Sequence, residues 1–157
     1  MLSMVALPYE NSPLSVRDIL QQPGREWRAK APASENEIAL LQSKARAELP
    51  REYLDLLRFG NGGDGPLALQ PLWFQLYSVK DCIDLCLSDQ HVLEQFPTLM
   101  FFGSNGGLES IAFDLSAGPP WRIVMVDRIA GVGSARQIAP HMGAFIETIG
   151  IDAEGQT

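Results

Sequence analysis

Between Ser34 and Gly60 the apolar positions fall on two helical stripes. Ile38, Leu41, Ala45 and Leu49 recur at spacings of 3, 4 and 4, which predicts a helix with one buried face. Ser34-Glu35-Asn36-Glu37 marks its start, because the Ser34 hydroxyl accepts a backbone N–H while Glu37 reaches back to the cap. Pro50 stops this helix after Leu49 and suits the first position of the next. Tyr53, Leu56 and Leu57 form the inner face of that second helix, and Gly60 is expected as its left-handed C-terminal cap. Upstream, Val16 to Gln22 predicts one or two helical turns ended by Pro23-Gly24, and Trp27 is expected to pack into the core.

Beyond Gly60 the periodicity changes. Gly60 to Pro66 holds four glycines in seven residues and reads as a flexible turn with positive φ available. Leu67 to Tyr77 reads as short strands divided by Pro71. Ser78 starts a third helix with Val79, Cys82, Ile83 and Cys86 inside, running to Leu93. Leu99 to Phe102 has the length of a buried strand, and Gly103 to Gly107 gives a hairpin signal. Ile111, Phe113 and Leu115 alternate as in a half-buried strand. Ile123 to Val126 is a further β run, Ala130 to Ser134 a glycine-rich loop. Ile138, Met142, Phe145 and Ile149, at spacings of 4, 3 and 4, predict a closing helix. Strands joined by hairpins rather than long crossovers imply an α+β fold: a single domain whose mainly antiparallel sheet is covered by helices on one side. The expected organisation is an N-terminal extension over 1–26, the domain over 27–151 and a fraying polar tail over 152–157.

Charge narrows the classes of partner. Of 157 residues, 12 are Lys or Arg and 19 Asp or Glu, giving a net −7. Phosphates repel such a chain, so no nucleic-acid partner is expected, and the anionic membrane surface is disfavoured equally. The charge is uneven. Met1 to Gly60 carries eight basic and eight acidic residues, whereas Asn61 to Thr157 carries four and eleven. Such asymmetry marks a binding face. No apolar run approaches the roughly 18 residues of a spanning helix, and Met1 to Glu10 lacks the basic start of a signal peptide. A cytoplasmic protein is therefore expected, in agreement with the two cysteines, Cys82 and Cys86, in a reducing compartment.

The residues with chemical potential do not form a recognisable catalytic set. Cys82 and Cys86 lie four apart, as two small apolar residues on one buried helix face would. His91 and His141 are the only histidines, and neither stands in a nucleophile setting. The Cys and His residues do not match the spacing of a structural zinc site. Gly60 to Gly65 lacks the Gly-Lys-Ser/Thr ending of a phosphate loop, and Gly103 to Gly107 and Gly131 to Ser134 read as turns. Neither metal nor cofactor is expected. Glu109 and Asp114 qualify by residue type alone as acids for glycoside hydrolysis.

Three stretches together resemble the SMI1/KNR4 family, also called the SUKH superfamily. Ser34 to Gly63 carries Glu37-Ile38, Leu49-Pro50, Tyr53 and Asn61-Gly62-Gly63. Met100 to Leu115 carries Phe102-Gly103-Ser104-Asn105-Gly106-Gly107 and Ile111-Ala112-Phe113-Asp114-Leu115. Ile123 to Asp127 is followed by an apolar helix with Phe145. The resemblance departs from the family pattern at Leu41-Gln42-Ser43, where an acid is usual. It implies a non-enzymatic protein-binding domain. Bacterial members are similar to immunity proteins that neutralise toxins of contact-dependent and polymorphic systems, and fungal members regulate cell-wall synthesis. The expected partner is a cognate toxin domain, basic and nuclease-type, met through complementary charge. Expected contacts are exposed groups near the glycine turns: Asp64, Trp73, Glu109 and Asp114. The alternative is a regulatory or scaffold domain without a toxin partner. A third reading is a small hydrolase pairing Glu109 or Asp114 with His91 or His141.

Overall fold

The computed structural model describes residues 14–153. Of the tail expected to fray over 152–157, residues 154–157 lie outside the described ones, as do residues 1–13 of the expected extension. The chain order is α1 (Val16–Leu20), β1 (Arg28–Ala29), α2 (Glu35–Lys44), α3 (Arg51–Phe59), β2 (Gly63–Pro66), β3 (Trp73–Leu76) and α4 (Val79–Cys82). A π-helical turn (Ile83–Leu87) extends α4, and α5 (Gln90–Gln95), β4 (Leu99–Ser104), β5 (Glu109–Asp114) and β6 (Ile123–Asp127) follow. A 3-10 turn at Val132–Ser134, β7 (Arg136–Ala139) and α6 (Met142–Ile146) complete the fold. The seven strands form one sheet in sequence order, each neighbour antiparallel. This is an α+β meander.

The alternation of strand residues sorts side chains onto two faces. Met100, Phe102, Ile111, Phe113 and Ile123 turn to the first face, where they meet Ile38 and Leu41 of α2, Tyr53, Leu56 and Leu57 of α3, and Phe145 of α6. Phe102 is the hub, stacked on Phe113 at 4.5 Å and edge-on to Phe145 at 5.7 Å. Phe101, Ala112, Val124 and Val126 turn to the second face and are covered by Cys86, Val92 and Phe96. The helical cover is thus on both sides, not on one as the sequence pattern implied. β5 is accordingly buried from Ser110 to Asp114 rather than half-buried. Each fully buried side chain of this size contributes about 1.5–3 kcal/mol.

Several boundaries differ from those expected. The Ser34 capping box forms as read, but α2 ends at Lys44. The Gln42 side chain takes over there, donating to the Ala47 carbonyl at 3.0 Å and accepting from the Leu49 N–H at 2.9 Å. Backbone groups that a longer helix would pair internally are thereby satisfied. Gly60 is extended at φ −162°, not left-handed. A Cβ there would lie 2.7 Å from that of Ala29, so close approach explains the glycine. The glycine run takes positive φ at Gly62 and Gly63 as read, but from Gly63 to Pro66 it is strand β2 rather than a free turn. The third helix breaks at Ser88, and Asp89 caps α5 by accepting from the His91 and Val92 N–H groups. Ile138 belongs to β7, ahead of Pro140, which biases the residue before it to extended backbone. The stretch expected as an extension includes α1, whose Val16, Ile19 and Leu20 join the main core.

Candidate interaction surface

The helical cover of the second sheet face stops at β4. Over β1 to β3 that face is open among the described residues. Phe74 and Leu76 of β3 turn inward and are buried, whereas on the other side of the strand Gln75 is exposed and Trp73, expected to be exposed, is half-buried. In β2, Gly63 and Gly65 turn inward against Trp27. A Cβ at Gly65 would stand 2.4 Å from the Glu26 carbonyl oxygen, so only a bare backbone fits above the indole. Trp27 in turn stacks on Phe74 at 5.5 Å. The outward residue of β2 is Asp64, in register with Arg28 and with Gln75.

Arg28 joins two of the expected contacts. Its Nε and Nη2 donate to the two Asp64 carboxylate oxygens at 2.9 and 3.1 Å, and its guanidinium lies 6.0 Å from the Trp73 ring centroid. The Arg28 and Asp64 side chains are 73% and 35% exposed, so this pair adds less than about 1 kcal/mol to folding and remains available to a partner. A shallow groove of about 270 Å³ runs beside it, walled by Lys30, Asp64, Gln75, Asp81 and Leu85. Asn61 fixes the far wall. Its Oδ1 accepts from the Val79 N–H at 2.8 Å and its Nδ2 donates to Glu37 at 3.3 Å, while Glu37 accepts from the Ser34 N–H. The Glu37 and Asn61 positions therefore tie α2, the connection before β2 and α4 together.

The hairpin end of the sheet continues this surface. The register places the β2–β3, β4–β5 and β6–β7 connections at one end. Leu108, Ile129 and Val132 are exposed there by 64%, 79% and 51%. Glu109 pairs in register with Asp127, an acid opposite an acid, which is unfavourable between strands. Asp127 is satisfied by the Ile129 and Ala130 N–H groups, whereas Glu109 has no ion-pair partner among the described residues.

Asp114 does not belong with the others. It sits at the opposite end of β5, about 17 Å along the strand from Glu109, and is buried rather than exposed. Its Oδ2 accepts from Arg122 Nη2 and Nε at 2.7 and 2.8 Å, and its Oδ1 accepts from the Ser116 N–H at 2.9 Å. Burial pushes its pKa up, but the Ser116 and Arg122 hydrogen bonds outweigh this and hold it below the usual range. Asp114 therefore has a structural task. The acid–histidine pairing considered for hydrolysis is not assembled: His91 is exposed on α5, and His141 Nδ1 accepts from the Ala144 N–H as the cap of α6. Burial raises the thiols of Cys82 to about 11 and Cys86 to about 12, keeping both protonated and poor as nucleophiles. Among the described residues no group of three or more His, Cys, Asp or Glu is placed to hold a metal ion, and no helix is long and apolar enough to cross a membrane.

Arg28, Leu108, Ile129 and Val132 were not evident as surface residues in the sequence. A two-residue strand carries no periodicity, and single apolar residues in loops do not stand out.

These features define a small α+β domain built on an antiparallel meander with one half-open sheet face. The chain belongs to the SMI1/KNR4 family (SUKH-1), whose family model matches residues 32–148. Domains of this family are generally of non-enzymatic immunity or binding type and bind protein partners. Among curated proteins none matches the chain.

Proposed function

We propose that this chain is an immunity-type protein that binds a cognate toxin domain and blocks it by occupying its surface. The single observation that carries the reading is the open half of the second sheet face, where Asp64, Arg28 and Trp73 form one polar–aromatic cluster beside the groove. Aromatic and Arg anchors are the residues that dominate protein interfaces. The unpaired Glu109 and the exposed Leu108 and Ile129 extend the contact at the hairpin end. With eleven acidic and four basic residues after Gly60, the partner presents a basic surface, as a nuclease-type toxin does. Asp114 is left out of this contact.

The test is capture of partners by the immobilised full chain from its native cells, followed by mass spectrometry and a toxicity assay of what is captured. Expected is a basic toxin domain, held at low salt and released roughly tenfold more readily as ionic strength rises. Asp64→Lys with Trp73→Ala should weaken capture by about a hundredfold, since two anchors are removed. Failure to capture any protein at low salt, or capture unchanged by the double variant, would overturn the proposal.

A further inference from the structure

A cleft at the other end of the sheet has a character that the open face lacks. It lies where the α2–α3 connection, the β5–β6 connection and the start of α6 meet, and encloses about 580 Å³. Its walls include Pro119, Pro120, Trp121 and Met142, all without charge. Trp121 is fixed from behind by Phe113, with ring centroids 6.0 Å apart. Glu48 and Glu52 line it as well. Neither carboxylate has an ion pair or hydrogen bond among the described residues, and no Lys or Arg lines the cleft. Gly143 keeps the space open. A Cβ at that position would stand 3.3 Å from His141 Nδ1 and 4.0 Å from Glu52 Oε2, so a larger residue would grow across the gap towards the carboxylate. His141 is held as a rigid wall by its capping bond to Ala144.

An apolar, aromatic lining that also holds two unpaired carboxylates matches one side chain best. An arginine carries a planar, weakly hydrated cation that stacks on aromatic surfaces and donates in pairs to carboxylates. Its aliphatic stem would be covered by the prolines and Met142. We propose that this cleft receives an arginine side chain of the protein partner, as a second contact point separate from the β1–β3 face. The inference rests on the protein-binding reading above, but its test needs no partner.

The probe is N-acetyl-arginine amide, titrated into the full chain and followed by amide and indole NMR signals. The expected result is saturable shifts centred on the Trp121 indole and the Gly143 and Ala144 amides, with millimolar affinity. The neutral isostere N-acetyl-citrulline amide should give no saturable shift. Glu48→Gln combined with Glu52→Gln should weaken arginine binding by about fivefold or more, because the charge-assisted bonds are lost. Both glutamates are exposed and unbonded, so the double variant should keep the wild-type spectrum elsewhere. Absence of saturable shifts with the arginine probe, equal binding of the citrulline probe, or undiminished affinity in the double variant would each overturn the proposal. Those outcomes leave the partner-capture experiment untouched, whereas failed capture with intact arginine binding would fault the toxin-binding reading alone.

Discussion

The two faces of the sheet follow the same alternation and meet different fates. Along β3 the inward Phe74 and Leu76 are 0% and 3% exposed, while Gln75 between them faces solvent. Along β5 and β6, residues of both parities are buried. The difference lies in which helices arrive. The first face is closed by α1, α2, α3 and α6, and Trp27 fills the shallow region over β2. Among the described residues the helices that reach the second face are the π-helical turn and α5, which extend as far as β4. Where no helix arrives stand Arg28, Asp64 and Gln75, with Trp73 half-buried beside them, and where one does the residues are apolar. The strand pattern alone decides which residues share a face, and the non-local partners decide whether that face is dry.

Substitutions on either side should separate these two regimes. The largest effect is expected at Phe102, whose ring meets those of Tyr53, Phe74, Phe113 and Phe145. Phe102→Ala should cost about 3–5 kcal/mol in denaturant unfolding. Gly65→Ala comes next, at about 2 kcal/mol, because the added methyl meets backbone that has nowhere to go. A loss as small as a few tenths would mean that β2 and Trp27 are not clamped as described. Asp114→Asn should cost about 1–2 kcal/mol, the value of its charge-assisted bonds discounted for the half-exposed Arg122. The folded-state pKa of Asp114 is lowered. Its contribution is therefore present above the unfolded carboxylate value of about 3.9 and lost as pH falls through the folded value. Thermal melts from neutral to acid pH should accordingly be flatter for the Asn variant than for the wild type. Smallest of all, Gln75→Ala on the open face should leave stability within about 0.5 kcal/mol. A larger change there would show that this half of the sheet is covered after all.

Features that depend on neighbours in sequence were legible. The Ser34 capping box, the Tyr53–Leu57 stripe, the β4–β5 hairpin and the burial of Cys82 and Cys86 all follow from local spacing and side-chain chemistry. What escaped depends on contacts distant in the chain. The end of α2 was misplaced because Ala45 and Leu49 keep helical spacing although the Gln42 side chain replaces the helix there. β7 was missed because Ile138 falls four residues before Met142 and so imitates a helical stripe. Glycines 60, 63 and 65 looked like a turn because their reason, the approach of Ala29, Glu26 and Trp27, is invisible in a local window. At the surface, Asp64 and Trp73 were singled out by type and position, and the structure leaves both half-buried on one sheet face. Their meeting through Arg28 was not, since β1 is only two residues long. The assignment of Asp114 to the exposed set failed for a different reason: its partner, Arg122, lies across a turn, and an ion-paired acid and a free one look alike in sequence.

The meander has two outer strands, and both are poor templates for another chain. One, β1, offers two residues, both exposed and one of them Arg28. The other, β7, offers four, begins with Arg136 and runs into Pro140, which has no N–H to give. Short, charged borders of this kind discourage edge-to-edge strand pairing between copies. Crowding copies of the domain together therefore gains little from joining their backbones at either border.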